Sequence, residues 1–210
     1  MLQTPLNKLL VKVKSKYTDN ISTIGRIASL QHDTTIDPAD FVEIRGEIVS
    51  VPLKIEDRID YKGFTTDNMK VGDNCIFSYR VIYDFHQIEK EGKILFKNLF
   101  EFQGEEYFIC DITDLFAIVR DGEIIMMNGY VMVSEYQKST IILPQHLKKQ
   151  RGTVKAQILN IGRPLKHLNP ITTNQYDYVH FNENKAQKYQ INGKKFCILQ
   201  QSHILGKITE

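Results

Sequence analysis

The segment from Phe100 to Val119 reappears almost position by position from Tyr189 to Ile208, and this internal duplication restricts the chain to folds built from two related units. Gly104, Tyr107, Ile109, Thr113, Leu115, Ala117 and Val119 in the first copy are answered by Gly193, Phe196, Ile198, Ser202, Ile204, Gly206 and Ile208 in the second. Two anchors repeat upstream in the same order. Arg45, Gly46 and Ile48 answer to Arg151, Gly152 and Val154, and Asp73 with Phe77 answers to Asp177 with Phe181. The expected organisation is two domains in tandem, residues 1–120 and 121–210, with extra chain near 81–100 inserted in the first.

A length of 210 residues, 42% hydrophobic and 10% aromatic, is enough to fill two small cores. No apolar run approaches the ~20 residues that span a bilayer, and the first residues lack the charged and apolar regions of a secretory signal. A soluble cytoplasmic protein is therefore expected. Cys75, Cys110 and Cys197 stand singly within apolar strands rather than at metal or redox spacings, which predicts buried reduced thiols. The net charge of +2 hides an asymmetry. Residues 1–120 carry 15 Lys+Arg against 19 Asp+Glu, and residues 121–210 carry 12 against 6. Opposed halves of this kind favour head-to-tail contact between unlike domains, or else reflect a solvated surface alone. The lysines are dispersed without an aromatic-basic motif, so no nucleic-acid partner is expected.

Along the chain, Leu9–Val13 and Tyr130–Val133 are short β-rich runs that open the two copies. Each is followed by a polar, irregular stretch, about 14–40 in the first copy and 135–150 in the second. Strands resume at 41–49 and 152–161, and again at Cys75–Phe77 and Tyr178–Phe181, after connections 52–70 and 163–175 that each carry Pro-Leu-Lys near the start. Gln103-Gly104 and Asn192-Gly193 sit between alternating apolar runs, the chemistry of tight hairpins with positive φ. Glu91-Gly92-Lys93 marks the turn of an added hairpin. Thr113–Phe116 and Ser202–Leu205 offer brief helical turns, each opening on a residue able to cap it. Many short strands with turns between them describe a small β-barrel or sandwich.

The order of these parts resembles the GroES-type co-chaperonin family, the lids of large ATP-driven chaperonin rings. The residues that carry the resemblance in the second copy are Ser139 to Pro144, then Arg151-Gly152, then Asp177, Val179 and Phe181, then Ser202, Ile204 and Leu205. The first copy keeps Arg45-Gly46, Gly72-Asp73, Phe77 and the run Thr113 to Val119, but its loop departs from the pattern. The resemblance implies an all-β fold of two tandem GroES-like small β-barrels with long flexible loops, similar to the double co-chaperonins of chloroplasts. It further implies a homo-oligomer that caps a GroEL-type chaperonin ring in its ATP-bound or ADP-bound state and assists protein folding.

Under that resemblance Ile141, Ile142 and Leu143 are the chaperonin-binding anchors. Full burial of each is worth about 1.5–3 kcal/mol, and ordering a loop of some 15 residues opposes most of that gain, so one loop binds weakly and a ring of loops binds tightly. The same three residues also fit an ordinary buried strand. Ile24, Ile27 and Leu30 are the candidate anchors of a second loop, although their spacing of three better fits a helical turn packed on the barrel. The related zinc-dependent alcohol dehydrogenase reading lacks support, since no G-x-G-x-x-G and no zinc-ligand spacing is present. His32, His86, His146, His167, His180 and His203 are scattered, and His180 falls at an alternating strand position that suits a satisfied structural role. No catalytic residue, metal or cofactor is expected, and no membrane partner. The rival reading is a structural or adaptor ring protein that keeps the barrel without chaperonin binding.

Overall fold

The computed structural model describes residues 4, 6–15, 44–56, 58–83, 88–90, 93–95, 97–138, 152–165, 172–191 and 194–208. Among them every regular element is a β-strand or a short 3-10 turn. The chain divides into two compact units, Met1–Glu123 and Ile124–Glu210. No helix of the described residues is long and apolar enough to cross a membrane.

The first unit contains β1 (Lys8–Lys12), β2 (Arg45–Ser50), β3 (Asn74–Phe77), β4 (Ile88–Lys90), β5 (Lys93–Leu95), β6 (Leu99–Phe102), β7 (Glu105–Asp111) and β8 (Leu115–Arg120), and the division falls in β9 (Glu123–Met126). Its sheet runs β6-β7-β1-β2-β3-β8. The second unit contains β10 (Tyr130–Ser134), β11 (Gln137–Lys138), β12 (Thr153–Ile161), β13 (Tyr178–Asn182), β14 (Gln187–Ile191), β15 (Lys194–Gln200) and β16 (Ile204–Ile208). Its sheet runs β14-β15-β10-β12-β13-β16, with β11 added against β12. The two orders are the same once corresponding strands are matched.

Register extends the match to single residues. Leu9 pairs with Cys110 as Val131 pairs with Leu199, and Phe77 pairs with Leu115 as Phe181 pairs with Ile204. The ladders break at equivalent places too, between Leu10 and Val11 and between Met132 and Val133. Such bulges bend a strand and increase its twist, which curls each sheet around its own core. In the second unit that core is built from Val131, Val133, Val154, Ala156, Ile158, Val179, Phe181, Cys197, Leu199 and Ile204. Val154, Ala156 and Ile158 alternate along β12 as the inward residues of a half-buried strand must.

Several expectations need correction. The barrels do not close: among the described residues no ladder joins β14 to β16 in the second unit or β6 to β8 in the first. The Arg-Gly anchors are not equivalent. Gly46 lies opposite Cys75, and the residue that lies opposite Val179 at the matching place is Ala156, four positions beyond Gly152. A Cβ on Gly46 would stand 2.7 Å from the Lys12 carbonyl oxygen and 3.2 Å from the Phe77 ring, so β1 crosses too close for any side chain there. The repeated Pro-Leu-Lys is also non-equivalent, since Leu53 is 83% exposed whereas Leu165 is buried. Thr113 and Ser202 lie inside their 3-10 turns, Ile112–Asp114 and Gln201–His203, rather than capping them. The first cap is Asp111, whose carboxylate accepts from the Thr113 backbone N–H at 2.9 Å.

The hairpin chemistry holds where it is described. Gln103 and Gly104 take φ of 53° and 77° between Phe102 and Glu105, a two-residue primed turn. Asn192 and Gly193 lie outside the described residues. Strands β4 and β5 pair with Lys90 opposite Lys93, forming the added hairpin. The base of this insertion is tied by Asn98, whose side-chain amide donates to the Val81 carbonyl at 3.0 Å and whose carbonyl accepts from the Ile109 N–H at 2.8 Å.

One turn is duplicated bond for bond. The Ile48 N–H donates to the Asp73 carbonyl, the Gly72 N–H to the Ile48 carbonyl, and the Lys70 N–H to the Asp73 carboxylate, each at 2.8 Å. Ile158, Asp177, Tyr176 and Asn174 repeat the set at 2.9, 2.8 and 2.6 Å. Arg120 closes the first turn onto Asp73 at 2.7 Å, and Lys207 closes the second onto Asp177 at 2.8 Å.

Two predictions follow from these contacts. The hydrogen bond from Arg120, helped by the Lys70 N–H, holds the Asp73 carboxyl below its ordinary pKa, and Lys207 with the Asn174 N–H does the same for Asp177. A depressed folded-state pKa contributes stability that is present above the unfolded value of about 4 and lost as pH falls through the folded one. Calorimetry from pH 6 down to pH 2 should show Tm falling across that window, and Asp73→Asn with Asp177→Asn should lower Tm at pH 6 while flattening the acid decline. Gly46→Ala should cost about 1–3 kcal/mol in urea unfolding, because the added methyl must displace backbone.

Candidate functional site

The proposed anchors Ile141, Ile142 and Leu143 lie outside the described residues, as do Ile24, Ile27 and Leu30. What the structure describes is the base from which the segment 139–151 departs and to which it returns. Tyr136 ends the run after β10, and β11 then pairs antiparallel with the start of β12, Gln137 opposite Lys155 and Lys138 opposite Val154. Antiparallel partners stand about 4.5–5.5 Å apart at Cα, so the segment begins and ends at one point of the sheet.

The returning strand enters through Gly152, whose φ of 105° is strained for any residue with a Cβ. The Gly152 carbonyl accepts from the Glu183 backbone N–H at 2.8 Å. Glu183 opens the 3-10 turn Glu183–Lys185 directly after β13. On the departing side the Tyr136 hydroxyl donates to the Glu183 carboxylate. The Tyr136 ring packs edge-on against the buried Phe181, with centroids 6.0 Å apart. Lys188 on β14 completes the group, its ammonium 5.0 Å from the Tyr136 ring centroid and 3.6 Å from the Glu183 carboxylate. Burial, followed by the hydrogen bond to Glu183, raises the Tyr136 pKa, so the phenol remains a donor at neutral pH.

Sequence reading did not single out Tyr136, Glu183 or Lys188. They are separated by up to 52 positions and share no motif, so only the pairing of β11, β12 and β13 brings them together. Gly152 was visible as part of an Arg-Gly pair, but for a different reason from the one its φ supplies.

The connection 52–70 of the first unit is tied to the start of β1. The Glu56 N–H donates to the Asn7 side-chain carbonyl at 2.7 Å, and the Tyr61 hydroxyl donates to the Asp111 carboxylate at 3.1 Å. Lys8 also reaches Asp111, at 2.5 Å. Burial pushes the Asp111 pKa upward, but the hydrogen bonds from Lys8 and Thr113 overcome it and leave the carboxyl below its ordinary range. Leu53 and Ile59 on this connection are 83% and 80% exposed.

His180 lies within β13, opposite Lys155, and interacts with the Val154 backbone, while its Nδ1 is buried without a hydrogen-bond partner, as is that of His203. Burial and the neighbouring Lys155 hold the His180 pKa below the ordinary value, and burial with Lys185 does so for His203, so both imidazoles are neutral at pH 7. Among the described residues no group of three or more His, Cys, Asp or Glu is placed to hold a metal ion. Cys75, Cys110 and Cys197 are free and buried. Burial pushes the Cys75 thiol up to about 12 and Cys197 to about 11, and raises Cys110 well above its ordinary value. All three are therefore protonated and shielded at pH 8. A disulfide-exchange dye should titrate them only after denaturant is added, with native protein reacting at the rate of unfolding.

Compared with known proteins, residues 123–208 match the family model described as the chaperonin 10 Kd subunit. The match covers less than half of the chain and falls on the second unit, beginning one residue before it and ending two short of its end. No curated protein matches the sequence.

Proposed function

We propose that the protein is a co-chaperonin, in which the second unit docks the segment 139–151 into a chaperonin ring of the GroEL type and caps it during ATP-dependent folding. The observation that carries this reading is the similarity of residues 123–208 to the chaperonin 10 Kd subunit, joined to a segment that leaves and re-enters one sheet at a paired base. Ile141, Ile142 and Leu143 are its anchors. The common strand order of the two units supports a tandem form, with the first unit as a second, diverged copy. The protein acts by binding alone, without catalysis, in the cytoplasm and as a homo-oligomer. Several weak loops on one assembly would hold a ring tightly through effective concentration, yet release together when a nucleotide-driven motion withdraws the grooves.

The competing reading is a ring-forming scaffold or adaptor that keeps the fold without chaperonin binding. The four-residue offset at the Arg-Gly anchors and the inserted β4–β5 hairpin favour it, because they show how far the two units have diverged.

Binding of the full chain to a chaperonin ring with ATP or ADP separates the two. Wild type should bind only with nucleotide, Ile142→Asp should lose that binding, and trypsin should cut within residues 135–150 unless the ring is present. A wild type that fails to bind its cognate ring would leave the scaffold reading.

A further inference from the structure

We infer that Glu183 is a positioning residue that locks both ends of the segment 139–151 to one 3-10 turn, so that the second unit presents this segment from a closed base. As a device for chaperonin docking this rests on the function proposed above. As a clamp it rests on geometry alone.

The two halves of the clamp use different groups of the same residue. The backbone N–H of Glu183 binds the Gly152 carbonyl, on the strand that returns. Its carboxylate takes the hydroxyl of Tyr136, on the strand that departs. Lys188 lies against both partners, over the Tyr136 ring and beside the carboxylate, and so holds the phenol and the carboxylate in one arrangement. Phe181, two residues before Glu183 and fully buried, supports the Tyr136 ring from the core side. The clamp is thus packed against the buried core of the unit.

The β11–β12 ladder alone is a poor closure. Among the described residues β11 contributes two pairs to the ladder, Gln137 with Lys155 and Lys138 with Val154. Tyr136 and Glu183 extend the closure by a side-chain bond to a third strand end. The positions that match them in the first unit, two residues beyond Lys12 and two beyond Phe77, are Lys14 and Tyr79. No carboxylate stands at the second of these, so this chemistry belongs to the second unit, the one similar to the chaperonin 10 Kd subunit. A closed base removes part of the freedom that a docking segment must lose, which is how preorganisation strengthens binding without adding a contact.

The test uses the full chain and three variants. Tyr136→Phe removes only the donor. Glu183→Met removes the acceptor while keeping the length, and Glu183→Gln keeps an acceptor for the phenol; the backbone bond to Gly152 survives in all three. Amide hydrogen exchange at the N–H groups that bond across the β11–β12 ladder should rise about tenfold in Tyr136→Phe and in Glu183→Met, and should stay near wild type in Glu183→Gln. Exchange in β13 and β16 should not change. The double variant Tyr136→Phe with Glu183→Met should exchange no faster than Glu183→Met alone, because that variant has already lost both the Tyr136 bond and the Lys188 pair. A residue serving only general stability would instead give additive effects spread over the whole unit, and that outcome overturns the clamp.

Affinity for a chaperonin ring with nucleotide is then measured on the same proteins. Roughly tenfold weaker binding in Tyr136→Phe and Glu183→Met, restored in Glu183→Gln, supports the positioning role. Unchanged affinity despite faster exchange overturns that role. If wild type does not bind the ring while the exchange pattern holds, the co-chaperonin reading fails and the clamp stands.

Discussion

The hydrogen-bonded turn closed by Asp177 is the constraint on which the second unit depends. Its carbonyl and that of Ile158 exchange bonds with the N–H groups of Ile158 and Tyr176, and its carboxylate caps the Asn174 N–H. These bonds set where β13 begins against β12. Because side chains alternate along a strand, a slip of one residue would turn Val179 and Phe181 outward and break the core. Lys207 on β16 grips the same carboxylate, so the last strand is held to the turn that sets the register of its neighbour.

The first unit uses the same turn with different auxiliaries. Gly72 takes the left-handed position that Tyr176 occupies in the second, at φ of 92° and 71°, and Arg120 replaces Lys207 from a different place on its strand. The backbone pattern persists while the side chains that brace it vary. That is expected of a turn whose geometry is dictated by main-chain bonds, since any cation within reach can satisfy the carboxylate. The inserted hairpin of the first unit illustrates the same tolerance. It leaves after the 3-10 turn Tyr79–Val81 and returns at Asn98, where one side-chain amide closes the gap, so the strands on either side keep their order.

In the second unit the core reaches the base of the segment 139–151 through Phe181, Tyr136 and Glu183, a line running from a buried ring to a partly exposed carboxylate. Function of the kind proposed needs such a base, because a docking segment must lose its freedom on binding while its attachment point stays fixed.

Reading the residues in order was enough to find the all-β character, most strand positions, the Gln103-Gly104 hairpin and the buried thiols. These are local signals: alternation of apolar side chains, the positive φ that Gly and a few polar residues tolerate, and the isolation of each cysteine in an apolar run. Register was not legible in that way. Arg45-Gly46 and Arg151-Gly152 look equivalent as text, yet one glycine makes room for a crossing strand and the other turns the chain at φ of 105°. The clamp of Tyr136, Glu183 and Lys188 was likewise invisible, since its members are ordinary surface residues until β11, β12 and β13 are laid side by side. What the sequence by itself determined is the periodicity that makes strands and the turns that join them. Tertiary structure alone decided which strands pair at which residue, because that choice is made by long-range backbone bonds and core packing, which no local window contains.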